Sequence, residues 1–265
     1  MKTSRKKESQ VVNVICIKWG DAYGANDVNT LYSMIMRNTD DTDVRFFCFT
    51  DNVEGLSDKI HTRGLPVMNC PPESVKYAYQ KEAGLCDDEL GGLQGERVFF
   101  FDLDVLITGS LDEMFAYPQG EDFVIINDWN TRGNHVGQAS CYSWVVGTLG
   151  YIKSYYEKNA EAVVEQFHTA SQEYLSSKVI ENQGELKFWP QQWCKSFKFH
   201  CLPVWYKRAF KEPVLPEGTK VLAFHGRPKM DDALQGRWAP PGKVPFWKKT
   251  YKTIRPASWI SKYWK

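Results

Sequence analysis

No aspartate or glutamate follows Asp232 in this 265-residue chain. Eight basic residues do: Arg237, Lys243, Lys248, Lys249, Lys252, Arg255, Lys262 and Lys265. A formal net charge of +1 therefore conceals a cationic end. The body before it carries no basic excess of the kind that draws a protein to nucleic acid, so no nucleic-acid partner is expected. No Cys-x-x-Cys pair occurs among the seven cysteines, and their number is odd. That spells out no disulfide framework and points to a reducing cytoplasm. Cys16 and Cys48 lie inside apolar runs and read as small core residues. No apolar run is long enough to cross a membrane. The basic start "MKTSRKKESQ" leads into "VVNVICIKW", which is too short and too strand-like for a span or a secretory signal. Internal repeats and low-complexity linkers are also missing. One domain is expected over 10–232, with a basic aromatic extension over 233–265.

What is present is ordinary in bulk, with 43% hydrophobic and 25% charged residues, but rich in aromatics at 14%. "VVNVICIKW" (11–19) is β-branched and nearly all apolar, as a strand covered on both faces should be. The turn-rich "GDAYGAND" follows. "VNTLYSMIMRN" (28–38) then spaces Val28, Leu31 and Ile35 for a helix. "VRFFCFTDN" (44–52) is a second buried strand. Strand, helix and strand in so short a stretch mark a parallel βαβ unit.

A helix is expected around "PESVKYAYQKEAGL", opened by Pro72 and Glu73. Strands follow at "RVFFF" (97–101), "DFVIIN" (122–127), "CYSWVVG" (141–147) and "VLAF" (221–224). "SLDEMF" starts a short helix. In "YIKSYYEKNAEAVVEQFH" (151–168), Ile152, Tyr155, Tyr156, Ala160, Val163 and Phe167 share a face. The order predicts an open, mixed α/β sheet flanked by helices. Ligands bind such sheets beyond the carboxyl ends of the strands. Three strands end there in polar clusters: "KWGDAYG", "TDN" and "DLD".

Within "GERVFFFDLDVLITGS" (95–110), Asp102 and Asp104 follow a solid apolar strand. Two residues apart in extended chain, they would point the same way and repel unless a cation lay between them. Mn²⁺ or Mg²⁺, completed by phosphate oxygens and water, suits such a pair. Far downstream, "VLAFHGRPKM" (221–230) ends a strand in His225, Gly226 and Lys229. A neutral imidazole can ligate a metal. Gly226 permits close backbone approach to a phosphate, and Lys229 can neutralise a diphosphate. A nitrogen beside two carboxylates shifts the preference towards Mn²⁺. Tyr23 and Asp51, at strand ends that should neighbour the acidic pair, are candidates for a nucleotide's base or ribose. Asp128, after the strand in "IINDWN", is the one candidate for a carboxylate base.

"FFFDLDVLI" together with "FHGRPK" resembles the GT-A fold glycosyltransferases, most of all family 8. That resemblance implies a Rossmann-like nucleotide-diphospho-sugar transferase. It implies a metal held by Asp102, Asp104 and His225, and a sugar moved with retention from a donor such as a UDP-sugar to a glycan or lipid-linked acceptor. "CIKWGDAYGANDVNTLY" falls where such enzymes hold base and ribose, which adds Lys18 and Gly20. "YAYQKEAGL" falls where a basic residue reaches the donor, which adds Lys81. "WPQQWC" falls where the family has an Asp-Gln pair beside the reacting carbon. Here the aspartate is absent, leaving Gln191 and Gln192. The late signature is also more compact than the family's His-x-x-Gly-x-x-Lys.

Two other readings keep the same letters. One is a noncatalytic nucleotide-sugar-binding module on this fold, suggested by the missing aspartate. The other is a haloacid-dehalogenase-like phosphatase. Its acidic motif normally opens the fold and runs on into Gly-Thr rather than Val105, Leu106 and Ile107. Finally, "GKVPFWKKTYKTIRPASWISKYWK" (242–265) mixes seven basic residues with aromatics. It suits either a peripheral contact with an anionic membrane or packing on its own domain.

Overall fold

The computed structural model of the chain describes residues 10–71, 79–131, 133, 135–248 and 251–265. The start of the helix expected at Pro72 and Glu73 lies outside these residues. Its end is present as α2, Tyr79–Glu82.

A seven-stranded sheet forms the centre. It contains β1 (Gln10–Lys18), β2 (Thr42–Thr50), β3 (His61–Arg63), β4 (Arg97–Phe101), β6 (Val124–Asn127), β7 (Gly137–Val145) and β8 (Lys187–Phe188). Their order across the sheet is β3-β2-β1-β4-β7-β6-β8. β1 runs parallel to both β2 and β4, while β7 is antiparallel to β4 and β6. The carboxyl ends of β1, β2 and β4 therefore share one edge. The path turns one way from β1 to β2 and the other way to β4, which opens a crevice at that point.

The apolar run in β1 is continuous because both faces are covered. Val12, Val14 and Cys16 pack on one side with Val28, Leu31 and Ile35 of α1 (Ala25–Met36). Ile15 and Ile17 face the other side. There they join Phe100, Tyr142, Trp144 and residues of α4 (Gly150–Phe167) and α5 (Ser171–Gln183). The mixed α/β architecture expected from the residue pattern is the one found. α1 begins at Ala25, ahead of the apolar spacing, because Asp27 Oδ2 accepts the Gly24 N–H at 2.7 Å and secures the first turn. In α4, Tyr155 departs from the expected buried face. It is exposed, and Lys178 Nζ stands 3.6 Å from its ring centroid. Non-helical dihedrals at Asn159 interrupt the helix between its two halves.

A second, three-stranded sheet was not visible in the pattern. β5 (Val105–Ile107) leaves the acidic pair and pairs antiparallel with β10 (Val221–Ala223), which runs parallel to β9 (Cys194–Ser196). These strands are only three residues long, too short to show a period. The sheet has a large consequence, because it brings residue 224 to residue 104. The Phe224 N–H donates to the Asp104 carbonyl at 2.9 Å.

The C-terminal extension divides. Ile254, Ala257 and Ile260 are buried in the core. α7 (Ile260–Tyr263) packs on β5 and α6 (Met230–Leu234), and Arg37 donates to the Tyr263 carbonyl at 2.9 Å. Phe246 and Trp247 are exposed. Lys249 lies outside the described residues. Among the described residues no helix is long and apolar enough to cross a membrane.

Candidate functional site

The acidic pair does not lie in extended chain. β4 ends at Phe101, and Asp102, Leu103 and Asp104 form the turn into β5. The two carboxylates therefore reach different partners. Lys81 Nζ donates to Asp102 Oδ2 at 2.9 Å and pairs with Glu82 Oε1 at 3.1 Å. Lys229 Nζ donates to Asp104 Oδ2 at 2.7 Å and to the Tyr23 hydroxyl oxygen at 2.8 Å. The Tyr23 O–H donates in turn to Asp104 Oδ2 at 3.2 Å. Burial raises the Asp104 carboxyl above the usual carboxylate range. The neighbouring charge of Asp102 adds to this, and Lys229 opposes it. Burial works against the charge on Lys81, yet Asp102 and Glu82 outweigh it and hold the ammonium well above its ordinary pKa.

At the ends of β1 and β2, the Gly20 N–H donates to Asp51 Oδ2 at 3.0 Å, with Gly20 in the left-handed region at φ 59°. Lys18 Nζ lies 4.0 Å from Asp51 Oδ1. Lys18, Trp19, Tyr23, Lys81 and Asp102 line a cavity of about 240 Å³. On the other side of Tyr23, a cavity of about 390 Å³ is lined by Asp104, Arg227, Lys229 and Trp264. Of the residues picked from sequence, Tyr23, Lys81, Asp102, Asp104 and Lys229 thus meet in one crevice, with Lys18, Gly20 and Asp51 at its rim.

His225 has a different neighbourhood. Its Nε2 shares a hydrogen bond of 2.8 Å with Ser196 Oγ. Its ring stacks with Trp129 and Phe199 at centroid distances of 5.5 and 5.8 Å. Burial pushes its pKa down to about 4, helped by the charge of Lys198, so the imidazole is neutral at pH 7. Among the described residues no three His, Cys, Asp or Glu side chains stand together as a metal-holding group. Asp102, Asp104 and His225 do not form such a group in this arrangement of side chains, and the contacts of His225 are with Ser196, Trp129 and Phe199. The carboxylate pair alone does fit a divalent cation that draws its remaining ligands from diphosphate and water. Asp102 and Asp104 are close enough to perturb one another, and their present counter-ions are Lys81 and Lys229.

Beside His225 lies a third cavity, of about 310 Å³, lined by Asp128, Trp129, Trp189, Gln191, Phe199 and His200 among others. Asp128 is 7% exposed. Its Oδ2 accepts the N–H groups of Asn130 and Thr131 at 3.0 and 2.8 Å, while Oδ1 has no hydrogen-bond partner among the described residues. A buried carboxylate oxygen without a donor is costly. Gln191 lines this cavity. Gln192 does not, and its side chain lies towards Gly218.

Three comparisons with known proteins bear on this geometry. No protein-family model and no curated protein matches the chain. Solved structures do. The galactosyltransferase LgtC, in complex with donor and acceptor sugar analogs, aligns over 95% of this chain and 100% of its own, at 14% identity and TM-score 0.54. The glycosyltransferase GlyE of Streptococcus pneumoniae TIGR4 aligns over 83% of this chain and 56% of its own, at 15% identity and TM-score 0.53. Mouse xyloside xylosyltransferase 1 aligns over 81% and 98%, at 11% identity and TM-score 0.51. The chain has the GT-A fold. At such identities the likeness extends to the fold and no further.

Within this GT-A scaffold, several side chains around the site escaped the sequence reading. Trp129, Phe199 and Ser196 surround His225. Glu82 supports Lys81, and no sequence signal separated it from an ordinary helix glutamate. Asp232 did leave a signal, the three-residue spacing from Lys229 that marks a helix start. It is 2% exposed, accepts from Arg227 and from Arg237 Nε at 2.8 Å, and meets the Lys229 N–H at 3.5 Å. Asp232→Ala is expected to cost about 1–3 kcal/mol, because two arginines lose their acceptor and the Lys229 turn loses its anchor. Thermal or urea denaturation measures this. An unchanged midpoint would mean that the Lys229 turn is held elsewhere.

Proposed function

We propose that the chain is a glycosyltransferase. It would move a sugar from a nucleoside-diphosphate donor, such as a UDP-sugar, to a hydroxyl of a glycan or lipid-linked acceptor. The observation that supports this most is the meeting of Tyr23, Lys81, Asp102, Asp104 and Lys229, from four distant stretches, in one crevice of a GT-A sheet. Two ammonium groups and two carboxylates at that edge are suited to a diphosphate and its counter-ion.

In the transfer, the donor C1–O bond breaks, the acceptor oxygen bonds to C1, and the nucleoside diphosphate departs with the bonding pair and takes up the acceptor hydroxyl's proton. Negative charge grows on the departing oxygens. Lys229 and Lys81 would meet it with positive charge fixed beforehand by Asp104 and Asp102. Those carboxylates would hold Mn²⁺ or Mg²⁺, which when bound supplies further positive charge to the same oxygens. The crevice end near Lys18, Gly20 and Asp51 would take the nucleoside. The cavity of Asp128, Trp129 and Gln191 would take sugar. Asp128, Gln191 and His200 would offer polar contacts to its hydroxyls, and the aromatic walls would cover the apolar face of a ring. With Gln191 as the polar group beside C1, the reading favours retention.

The test is a panel of nucleotide-sugars, with Mn²⁺, with Mg²⁺ and with a chelator, read by thermal shift and by release of nucleoside diphosphate. Donor binding and slow hydrolysis that chelation abolishes are expected. Binding without turnover would favour the noncatalytic module that the missing aspartate suggests. Hydrolysis of phosphomonoesters alone would overturn the proposal.

A further inference from the structure

The segment 199–214 is distinctive among the described residues. It leaves large apolar side chains in solvent on an otherwise well-packed domain. Trp205 is 58% exposed, Phe210 82%, and Val204, Tyr206 and Val214 are exposed beside them. The chain there leaves a π-helical turn, Phe197–Cys201, and then makes a short turn of 3₁₀ helix, Trp205–Lys207, that buries none of its residues. A second exposed stretch adjoins it. Arg208 donates to the Tyr251 carbonyl at 3.0 Å, and Arg208 and Lys252 both lie 5.5 Å from the Trp238 ring centroid. A few residues before Tyr251, Phe246 is 84% exposed. Isolated exposed aromatics are unremarkable, but a contiguous group is not.

The charges around this group share one sign. Between 195 and 214 stand Lys195, Lys198, Lys207, Arg208 and Lys211, against the single acid Glu212, which pairs with Arg255 at 4.0 Å. From 237 to 252 there is no acid at all. A two-fold contact between two copies of this face would set like charges against each other. An anionic bilayer surface would not: it attracts each lysine and arginine, and tryptophan and tyrosine favour the interfacial layer.

We infer that the face built from 199–214 and the stretch around Phe246–Lys248 docks on an anionic membrane surface. This relocates the contact expected from sequence. The end of the extension, from Ile254 to Trp264, is folded into the domain, and the internal segment supplies most of the apolar anchors. Phe199 belongs both to this exposed stretch and to the wall of the Asp128 cavity, so docking brings the mouth of that cavity to the lipid surface.

The experiment is co-sedimentation of the full chain with vesicles of phosphatidylcholine alone and of an equimolar phosphatidylcholine–phosphatidylglycerol mixture, without nucleotide-sugar. It therefore stands or falls apart from the transferase reading. Binding is expected to be at least about tenfold stronger to the anionic vesicles and to weaken with salt. The double variant W205E/F210E is expected to lose about tenfold of that binding with an unchanged melting temperature, since both side chains are solvent-exposed. K207E/K211E should lose the preference for anionic lipid. Wild-type binding by W205E/F210E would overturn the inference. So would absence of binding to the anionic vesicles, or concentration-dependent dimers that W205E/F210E abolishes without any vesicle binding.

Discussion

Asp104→Asn is expected to lower donor turnover by a factor of about 10²–10³, equivalent to about 2.7–4 kcal/mol in the barrier, with the fold intact. The side chain is buried and nearly isosteric with asparagine, so packing is preserved. What changes is the electrostatics. Asp104 Oδ2 is the acceptor on which Lys229 and Tyr23 converge, at 2.7 and 3.2 Å. With an amide there, the Lys229 ammonium loses its counter-charge and its fixed position, and the acidic pair is reduced to Asp102. The measurement is release of nucleoside diphosphate under saturating donor, alongside a thermal melt. Turnover close to that of the unaltered chain would remove this carboxylate from the chemistry and take the proposed function with it.

The second large effect is on stability. Lys81→Met should cost about 3–5 kcal/mol, because it strips the partner from a buried charge. The Glu82 side chain is only 3% exposed, and its Oε1 pairs with Lys81 while Oε2 has no partner among the described residues. Methionine fits the volume of the lysine stem but leaves that carboxylate buried without its cationic partner. The double variant K81M/E82Q should recover part of the loss, since it removes the orphaned charge along with its partner. Urea unfolding of the two single variants and the double variant measures the coupling. A midpoint for Lys81→Met near that of the parent would show that Glu82 does not depend on Lys81. Because Lys81 also meets Asp102, the same variant should impair donor binding, so stability and turnover are to be followed together.

How much of this could be read from residues depended on the range of the interaction. β1, β2 and β4 were legible because strands covered on both sides must be apolar throughout, and because Val28, Leu31 and Ile35 repeat at helical spacing. Their polar ends then located the crevice. Lys229 and Tyr23 lie beside Asp104, although 125 and 81 residues separate them from it in the chain. The short strands β5, β9 and β10 were not legible as a sheet. Three residues carry no period, and their pairing is settled by which segments the large sheet leaves adjacent. The arrangement of the acidic pair went unread for the same reason. Sequence spacing assumes extended chain, whereas β5 turns away into the second sheet and aims Asp102 and Asp104 at different lysines. His225 shows the limit most clearly. Its position after a strand suggests a ligand, and nothing local foretold that its ring contacts Ser196, Trp129 and Phe199, from two other segments.

The sequence by itself determined the α/β class, the edge of the sheet at which chemistry gathers and the residue types that gather there. Periodicity and strand-end polarity are local properties, and local properties survive in the order of the letters. Only the tertiary structure decided which charges neutralise which, that Asp128 comes to line one cavity with Gln191 and His200, and that the cationic extension is half core and half surface. Each of those depends on contacts between segments far apart in the chain, whose free energy is settled by packing and solvent exclusion rather than by neighbours in sequence.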